Sequence, residues 1–304
     1  MARAQNSAQE LRRIGAIHAL QSENSEAFVQ GLREAGYVDG QNMVLEARFY
    51  GGPGGVLDQY AREFIALKCS VIFASNPYAI RAVLKATSTI PTVGIDLESD
   101  PVASGLAKSL ARPGGHFTGF FLDIPELGGK QIELLKEAVP AVSRLAVLWG
   151  ATIGAIQFHA TEMAARSAGV VLQSLPIRRP EDVNETFQHA VREQAQAMVI
   201  LSSPLIFGER GHIADLALKA KLPTISLFNS FPSVGGLLAY GPDFSSIFRQ
   251  AAGYVSRMLE GAKPAELPIQ RPTKFELVVN TKTAQAIGLK MPEALLVRAD
   301  KVIE

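Results

Sequence analysis

The sequence predicts an α/β protein built of two doubly wound, parallel-sheet lobes joined by a hinge. Three observations carry that prediction. Short apolar runs rich in β-branched residues alternate with amphipathic stretches of about 10–15 residues, the pattern of parallel strands linked by crossover helices. The alternation pauses at one Gly/Pro-rich stretch, Ser109-Leu-Ala-Arg-Pro-Gly-Gly-His-Phe-Thr-Gly119, and then restarts. The length, 304 residues, suits about two domains of roughly 150 residues each.

Taken in order, Arg13–His18 reads as the first strand. Phe28, Val29 and Leu32 then recur at helical spacing within Ser25–Ala35, with Gly36 as the stop. Met43–Phe49 is a strand, Gly51–Gly55 a loop, Val56–Lys68 a helix, Val71–Ala74 a strand, Tyr78–Thr87 a helix and Pro91–Ile95 a strand. Val102–Leu110 reads as helical and Phe117–Phe121 as a strand. The second half repeats the scheme. Its helices are expected at Leu127–Val139, Ala155–Ala168, Glu181–Glu193 and Ile213–Lys221, and its strands at Arg144–Trp149, Val170–Ser174, Ala197–Leu201 and Pro223–Leu227. A helix (Phe244–Glu260), a strand (Lys274–Asn280) and a helix (Thr281–Ile287) remain. They are too few to bury a core of their own and must dock on the two lobes, so the chain crosses between lobes more than once.

Composition narrows the function. Hydrophobic residues make up 47% and the net charge is +1, which argues against a nucleic-acid surface. No apolar run is long enough to span a bilayer. The single cysteine, Cys69, excludes an intrachain disulfide and a Cys-based zinc site, and reads as a small core hydrophobe. Ala2-Arg3-Ala4 fits the small-x-small pattern before a signal-peptidase cut, so residues 1–9 are expected to be disordered or a signal-peptide remnant.

The Gly/Pro-rich stretch does not have the form of a phosphate loop, which needs glycine amides between a strand and a helix start. Here the order is helix, glycines, strand. Gly114-Gly115 reads as a helix exit with Pro113 enforcing the stop, and Phe117–Phe121 as an interlobe crossover; an ordinary loop inside one domain is the alternative. The five histidines are scattered. His159 and Glu162 share a helix but find no third ligand, so they read as a surface pair and no metal or other cofactor is expected.

In open parallel sheets ligands bind outside the carboxyl ends of the strands. Those ends offer His18 to Gln21, then Ser75-Asn76-Pro77-Tyr78, then Asp96-Leu97-Glu98-Ser99 in the first lobe. In the second they offer Trp149-Gly150-Ala151-Thr152, Ser202-Ser203-Pro204 and Phe228-Asn229-Ser230, and Tyr240-Gly241 marks a later crossing. Aromatics, small hydroxyls and amides together suit a concave ligand pocket. Each residue also has a plainer reading. Ser75 and Asn76 cap a helix. Trp149 either offers its flat face and N–H to a ligand or caps the sheet. Asp96 and Glu98 point the same way on an alternating strand end, and with no nucleophile or metal ligand beside them a solvated rim is expected.

Longer motifs then match a known family. Asp100-Pro-Val-Ala-Ser-Gly-Leu-Ala-Lys-Ser-Leu-Ala-Arg-Pro-Gly-Gly-His-Phe-Thr-Gly119 resembles the signature of bacterial ABC-transporter substrate-binding proteins related to the tryptophan-binding type. Gly31–Asn42, Gly235–Pro242, Gly261–Pro268 and Pro272–Asn280 add to the likeness, which runs from about Arg12 to the end of the chain. The resemblance implies a type I periplasmic-binding-protein fold with three hinge crossings. The lobes would comprise 10–119 plus 242–272 and 120–241 plus 273–304. It further implies export to the periplasm, a monomer that is no enzyme, a small organic ligand gripped by hinge closure, and a membrane permease as partner. By this analogy His18, Ser75, Asn76, Tyr78, Asp96, Glu98, Trp149, Thr152, Ser203, Phe228 and Asn229 face the cleft. Departures are His116, where the family often has Asn, and Trp149-Gly150, where many members carry Asn-Pro. The acidic residue that follows the Ala197–Leu201 strand in tryptophan-binding relatives is replaced by Ser202-Ser203, which argues against an amino-acid ligand. The aromatics argue for a flat apolar one. A ligand sensor of the lac-repressor type and an enzyme share this scaffold; the first needs a DNA-binding headpiece that nothing before Arg12 supplies.

Overall fold

A computed structural model describes residues 11–51, 55–122 and 124–304, with the backbone alone at 124–126. The Ala2-Arg3-Ala4 pattern and part of the Gly51–Gly55 loop lie outside the described residues. The first sheet takes β1 (Arg12–His18), β2 (Met43–Phe49), β3 (Val71–Ala74), β4 (Thr92–Asp96) and β5 (Phe117–Phe121), all parallel, in the spatial order β2-β1-β3-β4-β5. Helices α1 (Glu23–Glu34), α2 (Leu57–Ala66) and α3 (Pro77–Ala86) connect its strands. Strands β3, β4 and β5 are buried throughout, as parallel strands covered on both faces are.

The second sheet repeats this order. Strands β6 (Arg144–Gly150), β7 (Val171–Ile177), β8 (Ala197–Ile200), β9 (Thr224–Ser226) and β10 (Leu238–Pro242) lie side by side as β10-β9-β8-β6-β7. Beyond β10 the sheet adds β11 (Phe275–Asn280) and β12 (Lys301–Ile303). Helices α4 (Ile124–Ala138), α5 (Ala155–Ser167), α6 (Asp182–Arg192), α7 (Pro204–Gly208) and α8 (Arg210–Lys219) belong here, with α10 (Thr281–Ala286) and α11 (Glu293–Arg298) near the end. Each sheet thus has a switch point where strand order reverses, between β1 and β3 and between β6 and β8. Such points are where α/β sheets open a crevice for a ligand.

The late helix α9 (Phe244–Leu259) packs on α1 and reaches β3, β4 and β5, although the strand before it lies in the second sheet. The returning chain lies along β5: Thr118 Oγ1 donates to the Leu267 carbonyl at 2.7 Å, and Gln270 N to the Gly119 carbonyl at 2.9 Å. It then enters β11. The chain therefore leaves the first sheet after Phe121, returns after Pro242, and leaves again between Gln270 and Phe275. Lys274 Nζ ties the last two passages together, 2.6 Å from Glu276 and 3.3 Å from Asp243.

Some expectations are corrected. Val102–Leu110 is a run of turns. The Asp100 carboxylate accepts from Val102 N and Ala103 N, Ser104 Oγ donates to the Asp100 carbonyl, and Gly105 turns left-handed at φ 75°. Short polar side chains that bond their own backbone in this way compete with a helix. The second sheet is not wholly parallel, because β11 runs antiparallel to β10. The strand at Val171 extends to Ile177 through Pro176, which an edge strand tolerates because the missing N–H faces away from the sheet. Cys69 is buried as expected, and burial pushes its thiol up to about 11. No described helix is long and apolar enough to cross a membrane.

Candidate functional site

The carboxyl ends of both sheets face one another, and between them lies a pocket with about 500 Å³ of empty space, its open mouth included. From the first sheet it takes His18 and Leu20 after β1, Ser75 and Asn76 after β3, and Leu97 and Glu98 after β4. From the second it takes Ser202, Ser203 and Phe207 after β8 and Phe228 after β9. Phe244 and Phe248, one turn apart on α9, close the wall, with Ser22 and Asn24 at the start of α1. The switch-point residues thus converge on one space.

The aromatic wall is continuous. Phe228 meets Phe207 edge-on at 5.0 Å between ring centroids and lies 5.6 Å from Phe244. His18 sits among Phe28, Phe49, Phe73 and Phe248, and this burial lowers its pKa to about 4, so the imidazole is neutral at pH 7. The polar wall is held by helix starts. Asn76 caps α3, its Oδ1 accepting from Tyr78 N and Ala79 N at 3.1 Å each, while Nδ2 makes only a long 3.5 Å contact to Ser75 Oγ. Ser203 caps α7 through Ile206 N at 3.1 Å. Gly150 makes room for that cap, since a Cβ there would stand 2.9 Å from Ser203 Cβ and Oγ.

Side chains of the two sheets also meet across the gap. Ser202 Oγ donates to Glu98 Oε1 at 2.6 Å, and Tyr78 and Thr152 line opposite sides of a neighbouring cleft. Gln157 of α5 fixes Ser202 from behind, accepting from Ser202 N at 3.0 Å and donating to its carbonyl at 3.1 Å. Tyr78, Thr152 and Ser203 line a second cleft, beside the first, that also holds Tyr50, Arg178 and Glu209.

Of the predicted site residues, His18, Ser75, Asn76, Glu98, Ser203 and Phe228 therefore come together in one pocket, and Tyr78 and Thr152 in its neighbour. Three stand elsewhere. Trp149 turns to the opposite face of β6 and stacks on Phe158 at 4.8 Å, its indole N–H donating to Ser174 Oγ at 3.0 Å. Strand alternation decides this: Ala146 and Leu148 share one face of β6, and Leu145, Val147 and Trp149 the other. Asp96 is spent on its own turn, accepting from Glu98 N, Ser99 N and Ser99 Oγ. Asn229 lines a third pocket, where its Nδ2 holds the Pro242 carbonyl and Glu276 at 3.1 Å each.

The expected solvated rim at Asp96 and Glu98 is corrected as well, because both are buried. Burial, and next the Asp96 charge, push Glu98 up to about 8; burial pushes Asp96 up too. The pocket residues that sequence reasoning missed are Phe207, Phe244, Phe248, Ser22 and Asn24. The phenylalanines at 244 and 248 carry a signal, an i,i+4 aromatic pair opening a helix that had to dock on the lobes. His159 and Glu162 form an exposed pair 3.5 Å apart, and no metal-binding cluster occurs among the described residues.

Two predictions arise from this geometry. Trp149→Ala should lower stability by about 1–2 kcal/mol, the usual size for a partly buried group, and leave ligand affinity unchanged. A calorimetric titration showing weaker binding with unchanged stability would return Trp149 to the cleft. The second concerns pH. Glu98 keeps in the folded chain a proton that the unfolded chain gives up above its ordinary 4.5, so its contribution to stability is lost as pH rises through about 8. His18 acts in the opposite sense, its contribution being lost as pH falls from 6.5 through about 4. Above pH 6.5 Glu98 acts alone of the two. The unfolding free energy from urea titrations should fall from pH 6.5 to 8, by about 1–2 kcal/mol at most, and the midpoint with it, and Glu98→Gln should flatten the fall. A midpoint that climbs over this range contradicts the assignment.

Two like-ordered α/β sheets, three chain passages between them and a pocket walled by both define a two-lobed ligand-binding protein of the type I periplasmic class. Residues 17–303 match the family model described as ABC transporter substrate binding protein, and the chain belongs to that family. It is similar to the tyrosine-binding protein of Clostridioides difficile strain R20291, 24% identical over 269 residues that cover 87% of this chain and 76% of that one. Among solved structures, a conserved domain protein of Vibrio cholerae superposes with a TM-score of 0.89 at 25% identity, over 96% of this chain and 100% of that one. An ABC domain from Streptococcus pneumonia in complex with L-Trp gives 0.88 at 21%, with the same coverage.

Proposed function

We propose that this chain is the extracytoplasmic substrate-binding component of an ABC importer, and that it takes a small organic molecule with a flat apolar body into the pocket between its lobes. The observation that carries this reading is the pocket's construction. Strand ends of two separate sheets supply its walls, and Ser202 bonds Glu98 across the gap. A ligand that touches both walls favours the closed arrangement by the contacts it makes only there, and closure presents one joined surface to a membrane permease. The phenylalanine wall supports a flat ligand body, and the two relatives named for tyrosine and L-Trp handle ligands of that shape. The hydroxyls and the Asn76 amide orient the polar end.

Native mass spectrometry of the protein as purified tests the reading. The expected spectrum carries a small-molecule adduct that unfolding releases. Protein that is adduct-free, and whose melting no aromatic small molecule shifts, would contradict it. An importer role further predicts that deletion of the neighbouring permease abolishes uptake of the released molecule.

A further inference from the structure

Among the described residues that line the pocket, Glu98 is the one acidic side chain. No arginine or lysine lines it, and His18 is held neutral by burial. Glu98, 3% exposed, has Oε1 against Ser202 Oγ and Oε2 accepting from Leu97 N at 3.2 Å. No salt bridge reaches it from a described residue. Arg81 of α3, exposed to solvent, supplies only a weak field, while Asp96 raises the Glu98 pKa and the Tyr50 and Tyr78 hydroxyls stand nearby. A carboxyl so placed either keeps its proton or takes a cationic partner.

We infer that Glu98 determines specificity for a ligand bearing an ammonium group, so that the pocket takes an aromatic amine with its ring among Phe207, Phe228 and Phe244 and its ammonium on the Glu98 carboxylate. The inference rests on the reading of this pocket as the binding site. No acidic residue follows β8, but the position is not left uncharged: Glu98 reaches Ser202, the second residue beyond that strand, from the opposite lobe. The ammonium is therefore engaged by a residue that reaches across the gap. Within this lining a carboxylate on the same ligand would meet only neutral donors, so there the amine is the group that selects.

Calorimetry with refolded, ligand-free protein tests this using tyramine and tryptamine, the matching acids 3-(4-hydroxyphenyl)propionate and indole-3-propionate, and the matching alcohols tyrosol and tryptophol. The amines should bind at least about tenfold tighter than the acids and alcohols. Glu98→Gln, which keeps the volume and a hydrogen bond to Ser202, should bring the amines down to the affinity of the alcohols measured on the same variant. The wild type alone gives a second readout. Glu98 is mostly protonated at pH 7, so titrations in buffers of different ionisation enthalpy should show release of up to about one proton per amine bound. Acids or alcohols that bind as well as amines, or amine binding without proton release, overturn the inference while leaving the pocket reading intact. If none of the six compounds binds, the pocket reading falls with it.

Discussion

Gly119→Ala is expected to lower the unfolding free energy by about 3 kcal/mol or more, at the upper end of overpacking effects. Gly119 lies in β5 opposite Gly94 of β4, with φ at 151°. A Cβ at 119 would stand 1.8 Å from the Gly94 carbonyl oxygen. A flexible side chain can swing away from such an intruder, but a carbonyl in a paired strand cannot move without its strand. Gly94 is equally confined, since a Cβ there would meet the Phe117 ring at 2.5 Å and Ile80 Cδ1 at 2.7 Å. Relief would displace β4, whose end carries Glu98 into the pocket, so the contact with Ser202 should suffer too. Gly115→Ala is the control, because a Cβ there meets nothing within 4 Å. Urea denaturation of the two variants compares them directly, and similar losses from both would refute the close-approach argument.

Phe228→Ala should cost about 3–5 kcal/mol of stability, the range for truncating a buried aromatic, and should also weaken ligand binding by about 1–2 kcal/mol. Phe228 is 6% exposed and packs between Phe207 of α7 and Phe244 of α9, so its removal opens the pocket wall between those two rings. The two losses separate its roles. A drop in melting temperature with full affinity for the molecule found in the purified protein would make Phe228 a core residue that merely borders the pocket.

The strands of both sheets up to β9 were legible because a buried parallel strand is a short apolar run between helical periods. Leu238–Pro242 does not read as a strand, and its Tyr240-Gly241 reads only as a later crossing between the lobes. Gly241 is there for another reason: its Cβ would lie 1.9 Å from the Leu227 carbonyl. The site was legible as a set of strand ends but not as a set of directions. Asp96 and Glu98 were expected to point alike, yet β4 ends at Asp96 and the chain turns there, so the two-residue period no longer applies beyond it. Trp149 was placed in the cleft by its position at a strand end, whereas the strand's parity turns it to the other face. Phe244 and Phe248 enter the pocket from a helix that follows the second sheet's β10 and packs on the first; their i,i+4 spacing marks an apolar face but not the sheet that face docks on.

The claim on which the rest depends is that a ligand draws the two lobes together. Its direct measurement is a distance between spin labels on cysteines introduced at Lys85 in the first lobe and Arg179 in the second, whose side chains are 75% and 69% exposed. The one native cysteine, Cys69, is buried and its thiol pushed up to about 11, so it should take no label. In ligand-free protein the distances should spread over open and closed arrangements, and on addition of the molecule recovered from the purified protein they should collapse to the shorter population. An identical distribution in both samples, with calorimetry showing the molecule bound, would contradict the account.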